Sequence, residues 1–203
     1  MIYESVNCSL LALDERELIA RLSADPNAAV PDIKKYIKEI LESATPMYVA
    51  DCYEMKKTDK GIYVGDILIK SHGFKRFAES YNACILLVCT LGLSIDKRIM
   101  KASVLSSTDA FILDAVADVY IEALYNYARL KLTRGYTASL GFSPGYADFD
   151  LRIGEKIVKM MSADKALGIK FTEGGLMIPK KSISTVVCIG LSNGEKYEYT
   201  GQN

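Results

Sequence analysis

The chain has a single histidine, His72, flanked by Ser71 and Gly73. One imidazole gives a zinc site no histidine pair, and both Ser-His-Asp and Cys-His catalysis would depend on that ring; a surface or helix-capping place suits it better. There is no Cys-x-x-Cys pair either: the five cysteines (Cys8, Cys52, Cys84, Cys89 and Cys188) are scattered, mostly in apolar stretches, and read as buried reduced thiols. Net charge is also lacking, since Lys plus Arg and Asp plus Glu are 25 each, so nucleic acid and a membrane surface lose their electrostatic basis as partners. No segment reaches the roughly 18 uninterrupted apolar residues of a membrane span. Met1 to Ser5 shows no basic-then-apolar leader pattern, and the expectation is a cytoplasmic protein. Gly92 and Gly174-Gly175 fit neither the G-x-G-x-x-G nor the G-x-x-x-x-G-K-[ST] frame, which removes a phosphate-cradling loop.

What is present is enough apolar residue for a core: 50% of 203 positions are hydrophobic, with no internal repeat and no low-complexity linker. Helical spacing appears over Asp14–Leu22 and Pro31–Leu41, the latter with Ile33, Tyr36, Ile37, Ile40 and Leu41 on one side. Alternation over Met47–Ile69, broken by a turn at Lys56–Gly61, predicts a hairpin. A short helix is expected over Gly73–Ser80, and the apolar run Ala83–Cys89 reads as a buried central strand. Helices follow over about Ser94–Val104 and Asp109–Lys131, the second opened by Ser106-Ser107-Thr108, with a stripe of Ile112, Ala115, Val116, Val119, Ala123, Tyr127 and Leu130. A helix at Leu151–Met161, a strand at Ile169–Thr172, a Gly174-Gly175 break, a last strand at Ile183–Leu191 and a fraying polar tail complete the pattern. The expected organisation is one domain over 1–203, with a helical part at 1–45, a core at 46–191 and a tail at 192–203. A hairpin first and then single strands between helices predict an α+β fold with a twisted, largely antiparallel sheet flanked by helices.

The most informative stretch is Gly141-Phe142-Ser143-Pro144-Gly145-Tyr146-Ala147-Asp148-Phe149. Pro144 presets the first corner of a type I or II turn, and Gly145 supplies the positive φ that a type II turn needs next. With Gly141 upstream, the main chain can approach a ligand closely. On the long helix Asp114, Asp118 and Glu122 form one column of carboxylates. That column is either a solvated acidic face or, at Glu122, a contact for a cationic or hydroxyl-bearing ligand.

Four segments, in this order, resemble the S-adenosylmethionine-binding reactivation domain of cobalamin-dependent methionine synthase in its short stand-alone form. They are Thr90-Leu91-Gly92 with Ile95-Asp96, Glu122-Ala123-Leu124, Phe142 to Asp148, and Leu176 to Ser184, and the likeness spans roughly Met47 to Gly190. The resemblance implies a twisted antiparallel sheet with flanking helices and a shallow site for S-adenosylmethionine. It implies Glu122, Gly141, Ser143, Pro144, Gly145 and Tyr146 as site residues, with the backbone of Ser143 and Gly145 against the ligand and no catalytic base or metal ligand. It also implies an accessory role in methionine biosynthesis. The methyl group is presented to cob(II)alamin on a partner methyltransferase, a methionine synthase lacking this domain, with a flavodoxin-type electron donor for reductive methylation.

The chain departs from the family where the motif begins with a ligand-contacting arginine, for this sequence has Gly141; after Tyr146 it has Ala147 and Phe149 for the family's glycine and tryptophan. A guanidinium reading a carboxylate contributes about 1.5 to 3 kcal/mol. Weak binding is therefore expected, Gly141→Arg is expected to strengthen it, and Arg134 or the Lys180-Lys181 pair supplies the replacement cations in the sequence. The alternative is a corrinoid-protein docking domain that has lost S-adenosylmethionine.

Overall fold

The computed structural model describes residues 1–22, 33–192 and 195–199. The chain opens with strand β1 (Ile2–Ser5), a 3-10 turn at Cys8–Leu10, and helices α1 (Glu15–Leu22) and α2 (Ile33–Ser43). Asp14 starts α1 by accepting the Arg16 and Glu17 N–H groups on its carboxylate; Pro31, expected to open α2, lies outside the described residues. The strand β2 (Met47–Thr58) runs on into β3 (Gly61–Val64), β4 (Ile67–Ile69) and helix α3 (His72–Phe77). The strand expected after the first hairpin turn is thus two strands, because Gly65 at φ +53 makes a second tight turn before Ile67.

The run Ala83–Thr90 forms β5, buried at every residue, as its unbroken apolar sequence demands. Next come α4 (Leu93–Leu105) and α5 (Ser107–Leu132), the latter capped where the Ser106 hydroxyl accepts the Asp109 N–H at 3.1 Å. Leu130, assigned to the core stripe of α5, is exposed instead; the helix turns Ala128 and Leu132 inward there. The chain then makes β6 (Thr137–Ala138), α6 (Ile153–Met160), α7 (Ala163–Ala166), a small hairpin of β7 (Lys170–Phe171) and β8 (Met177–Ile178), and finally β9 (Ser182–Gly190).

All pairings are antiparallel, and the main sheet runs β4-β3-β2-β5-β9-β6, with β1 pairing the start of β2, Met47–Ala50, opposite β5. This is the expected α+β architecture. Because successive strand residues face opposite ways, β5 feeds two cores. Ile85, Leu87 and Cys89 pack with α1, α2, α4 and α5, whereas Cys84, Leu86 and Val88 pack with α3, α6 and the loop aromatics Phe142 and Phe149. Residues 195–199 depart from expectation: Tyr197 donates its hydroxyl to the Leu132 carbonyl at 2.8 Å and Tyr199 reaches Glu4, so these aromatic side chains dock the segment instead of leaving it to fray, while residues 193–194 and 200–203 of the expected tail lie outside the described residues.

Candidate functional site

The Pro-Gly turn forms as its residues dictate: the Tyr146 N–H donates to the Ser143 carbonyl at 3.1 Å, with Gly145 at φ +90. A second bond, Gly145 N–H to the Phe149 carbonyl at 2.7 Å, closes the loop on itself. Asp148 then latches it to the rest of the molecule. Its carboxylate accepts from the Ser71 hydroxyl (2.6 Å), the His72 N–H (2.6 Å) and the Gly73 N–H (3.0 Å), all at the start of α3. These donors, the Ser71 hydroxyl foremost, hold its pKa down to about 2. Phe142 and Phe149 anchor the loop from beneath by packing on Phe74 at ring separations of 5.7 and 5.4 Å.

The loop meets β9 along its outer edge. Val186 and Phe142 exchange both backbone hydrogen bonds, at 3.1 and 2.9 Å, and the Ser139 N–H donates to the Cys188 carbonyl at 2.9 Å. Even-numbered residues of β9 therefore point their backbone groups outward. At Ser184 and Ser182 the covering segment has turned away, and those outward N–H and C=O groups have no backbone partner among the described residues. The gap opens into a groove of about 690 Å³. Its walls are Ser143 and Pro144 of the turn, Leu151 and Gly154 at the start of α6, and Phe171, Thr172 and Gly175 to Ile178 of the small hairpin, with Lys180, Ser182, Ile183 and Ser184 along the β9 side.

The segments singled out in the sequence converge at the head of β9. Thr90 shares a 2.8 Å hydrogen bond between its hydroxyl and that of Ser182, the Leu91 N–H donates to the Lys181 carbonyl at 3.0 Å, and Asp96 accepts the Lys180 N–H at 2.8 Å. The side chain of Lys181, buried, reaches across to Asp114 (2.8 Å) and Asp118 (2.6 Å) on α5. The carboxylate column is thus paired from the bend before β9, and at its far end from α1, where Arg21 pairs with Glu122 at 2.6 Å and with Glu17 at 2.7 Å. Burial pushes the Glu122 carboxyl up, and Arg21 draws it back only in part.

Of the residues proposed from sequence, the structure brings Ser143 and Pro144 into the groove. Gly145 shapes their turn, and Tyr146 beside it is exposed, its ring set edge-on to Phe142 at 5.3 Å. Glu122 does not line the groove; its carboxylate belongs to the Arg21 pair. Gly141 sits at φ +118, where an ideal Cβ would lie 2.5 Å from the Tyr125 hydroxyl. Arg134 is exposed and absent from the lining, whereas Lys180 is in it. Sequence reasoning missed Leu151, Gly154 and Phe171, which carry no chemical signal in one dimension and reach the site only through the packing of α6 and the small hairpin. Among the described residues no group of three or more His, Cys, Asp and Glu side chains is arranged to hold a metal ion, and no helix is long and apolar enough to cross a membrane.

Fold and groove together define a class: an α+β domain with a twisted antiparallel sheet whose last strand leaves part of its edge open to a groove. No family model and no curated protein sequence matches the chain. Solved structures do. The crystal structure of the MetH reactivation domain bound to AdoHcy aligns with a TM-score of 0.69 at 14% identity, over 98% of this chain and 80% of that one. The chain has the fold of the methionine synthase reactivation domain, as its four segments implied.

Proposed function

We propose that the groove beside β9 binds S-adenosylmethionine, and that the domain presents the methyl group to cob(II)alamin carried by a separate methyltransferase, with a flavodoxin-type protein as electron donor. One observation carries the reading: the Phe142–Asp148 and Leu176–Ser184 segments converge on one groove, in a fold whose solved neighbour is bound to AdoHcy. The groove's size falls within the about 300–1,000 Å³ typical of small-ligand sites. Its chemistry fits an amphipathic nucleoside. Pro144, Leu151, Phe171, Leu176 and Met177 offer apolar surface, while the hydroxyls of Ser143 and Ser184 and the open backbone of β9 offer hydrogen bonds.

S-adenosylmethionine, when bound, supplies an electrophilic methyl group and leaves AdoHcy behind. This chain's part is positioning, which needs neither base nor nucleophile of its own. Ser143 and Pro144 touch the ligand, Gly141 and Gly145 act through the path of the backbone, and Tyr146 acts from the exposed side of the turn. Glu122 contributes at a distance, by holding Arg21 beside the acidic column that Lys181 enters.

Calorimetric titration of the whole chain with S-adenosylmethionine and with AdoHcy tests the binding step, and both are expected to bind in the micromolar range. Methylcobalamin formation on a cobalamin-binding methyltransferase lacking this domain, followed by its absorbance with and without the chain, tests the presentation step. Gly141, in place of the arginine of the family motif, favours a second reading, a corrinoid-protein docking domain without S-adenosylmethionine. Complete absence of heat at millimolar ligand, with retained binding to the corrinoid protein, would put that reading first.

A further inference from the structure

We infer that the groove takes a ligand bearing a carboxylate and that Lys180 binds that group, an assignment that rests on the small-ligand reading above. Among the described residues Lys180 is the one cationic side chain in the lining, and the lining contains no acidic side chain. The adjacent lysines, in the bend that leads into β9, divide their work. Lys181 turns inward to Asp114 and Asp118, whereas the ammonium of Lys180 has no carboxylate partner among the described residues. Its main chain is fixed on both sides, by the Asp96 carboxylate on the Lys180 N–H at 2.8 Å and by the Leu91 N–H on the Lys181 carbonyl at 3.0 Å. The side chain that carries the ammonium therefore starts from a held point in the wall of the groove. A site with one positive charge and no negative one selects for an anionic substituent, and the ligand's apolar and hydrogen-bonding parts are met elsewhere in the lining.

The test compares two probes on the whole chain, AdoHcy and 5′-methylthioadenosine, which share the nucleoside and thioether and differ in the amino-acid end. Lys180→Met, which keeps the stem and removes the charge, is expected to weaken AdoHcy about fivefold and to leave 5′-methylthioadenosine unchanged. The difference between the probes should shrink as salt is raised, and Lys180→Arg should retain AdoHcy. Equal loss for both probes would assign Lys180 a purely structural role and overturn the inference, as would unchanged AdoHcy affinity in Lys180→Met. Failure of the unsubstituted chain to bind either probe would instead sink the small-ligand reading itself, and the two failures are told apart before any variant is compared.

Discussion

Gly141 shows how one position is set by a residue remote in sequence. At φ +118 it occupies backbone space that side chains rarely enter, and an ideal Cβ would also stand 3.0 Å from the Thr185 hydroxyl besides meeting Tyr125. The expectation that Gly141→Arg strengthens binding is therefore reversed: the loop cannot take the side chain without moving. Gly141→Ala and Gly141→Arg should each cost about 1–3 kcal/mol, read as a fall in melting temperature. Adding Tyr125→Phe to Gly141→Ala should recover part of the loss, and a double-mutant cycle measures that coupling. The departure from the family motif is thus joined to Tyr125 on α5, a partnership that no local reading of the loop reveals.

At the scale of elements, the Pro-Gly turn is a rigid part held by one carboxylate. Its type was legible in Ser143-Pro144-Gly145 because turn chemistry is local. The latch was not, since the partners of Asp148 lie at the start of α3, joined to it only by the fold. Asp148 has a folded pKa of about 2, below its ordinary 3.8, so its contribution to stability is fully present above the ordinary value and is lost as pH falls through the folded one. Asp148→Asn should lower the melting temperature at pH 7 and leave it nearly unchanged near pH 2, and it should weaken ligand binding at neutral pH through the loosened turn. The carboxylate column of α5 teaches the complementary lesson. Its spacing and its solvated face were plain, but the cations that pair with it were not, because Arg21 and Lys181 arrive from α1 and from the bend before β9.

For the whole molecule, Glu4 gathers segments remote in sequence. Its carboxylate accepts from the Tyr48 hydroxyl, from Lys131 at 2.9 Å and from Tyr127 and Tyr199 at 3.3 and 3.4 Å, which joins β1, β2, α5 and the tail. Burial alone would raise its pKa, but Tyr48, Lys131 and Tyr127 bring it below the ordinary 4.5. The cluster therefore stabilises above that value and fades as pH falls through the lower one. Glu4→Gln should cost about 1–3 kcal/mol at pH 7, or a few degrees of melting temperature, with the deficit closing in acid. The central strand and long helices were readable from periodicity because they are long. β1 and the docked tail were not, being short segments whose order depends on a partner.

The open stretch of β9 has a meaning for solubility as well. A bare strand edge invites another chain to add a strand, and sheets that persist in solution keep such edges short or guarded. Here the gap is confined to Ser182 and Ser184, between the Phe142 pairing on one side and Lys180 on the other, with Pro144, which has no N–H to offer, in the facing wall. The sheet keeps a groove open at its margin and yet offers too short a margin for its own kind to extend it.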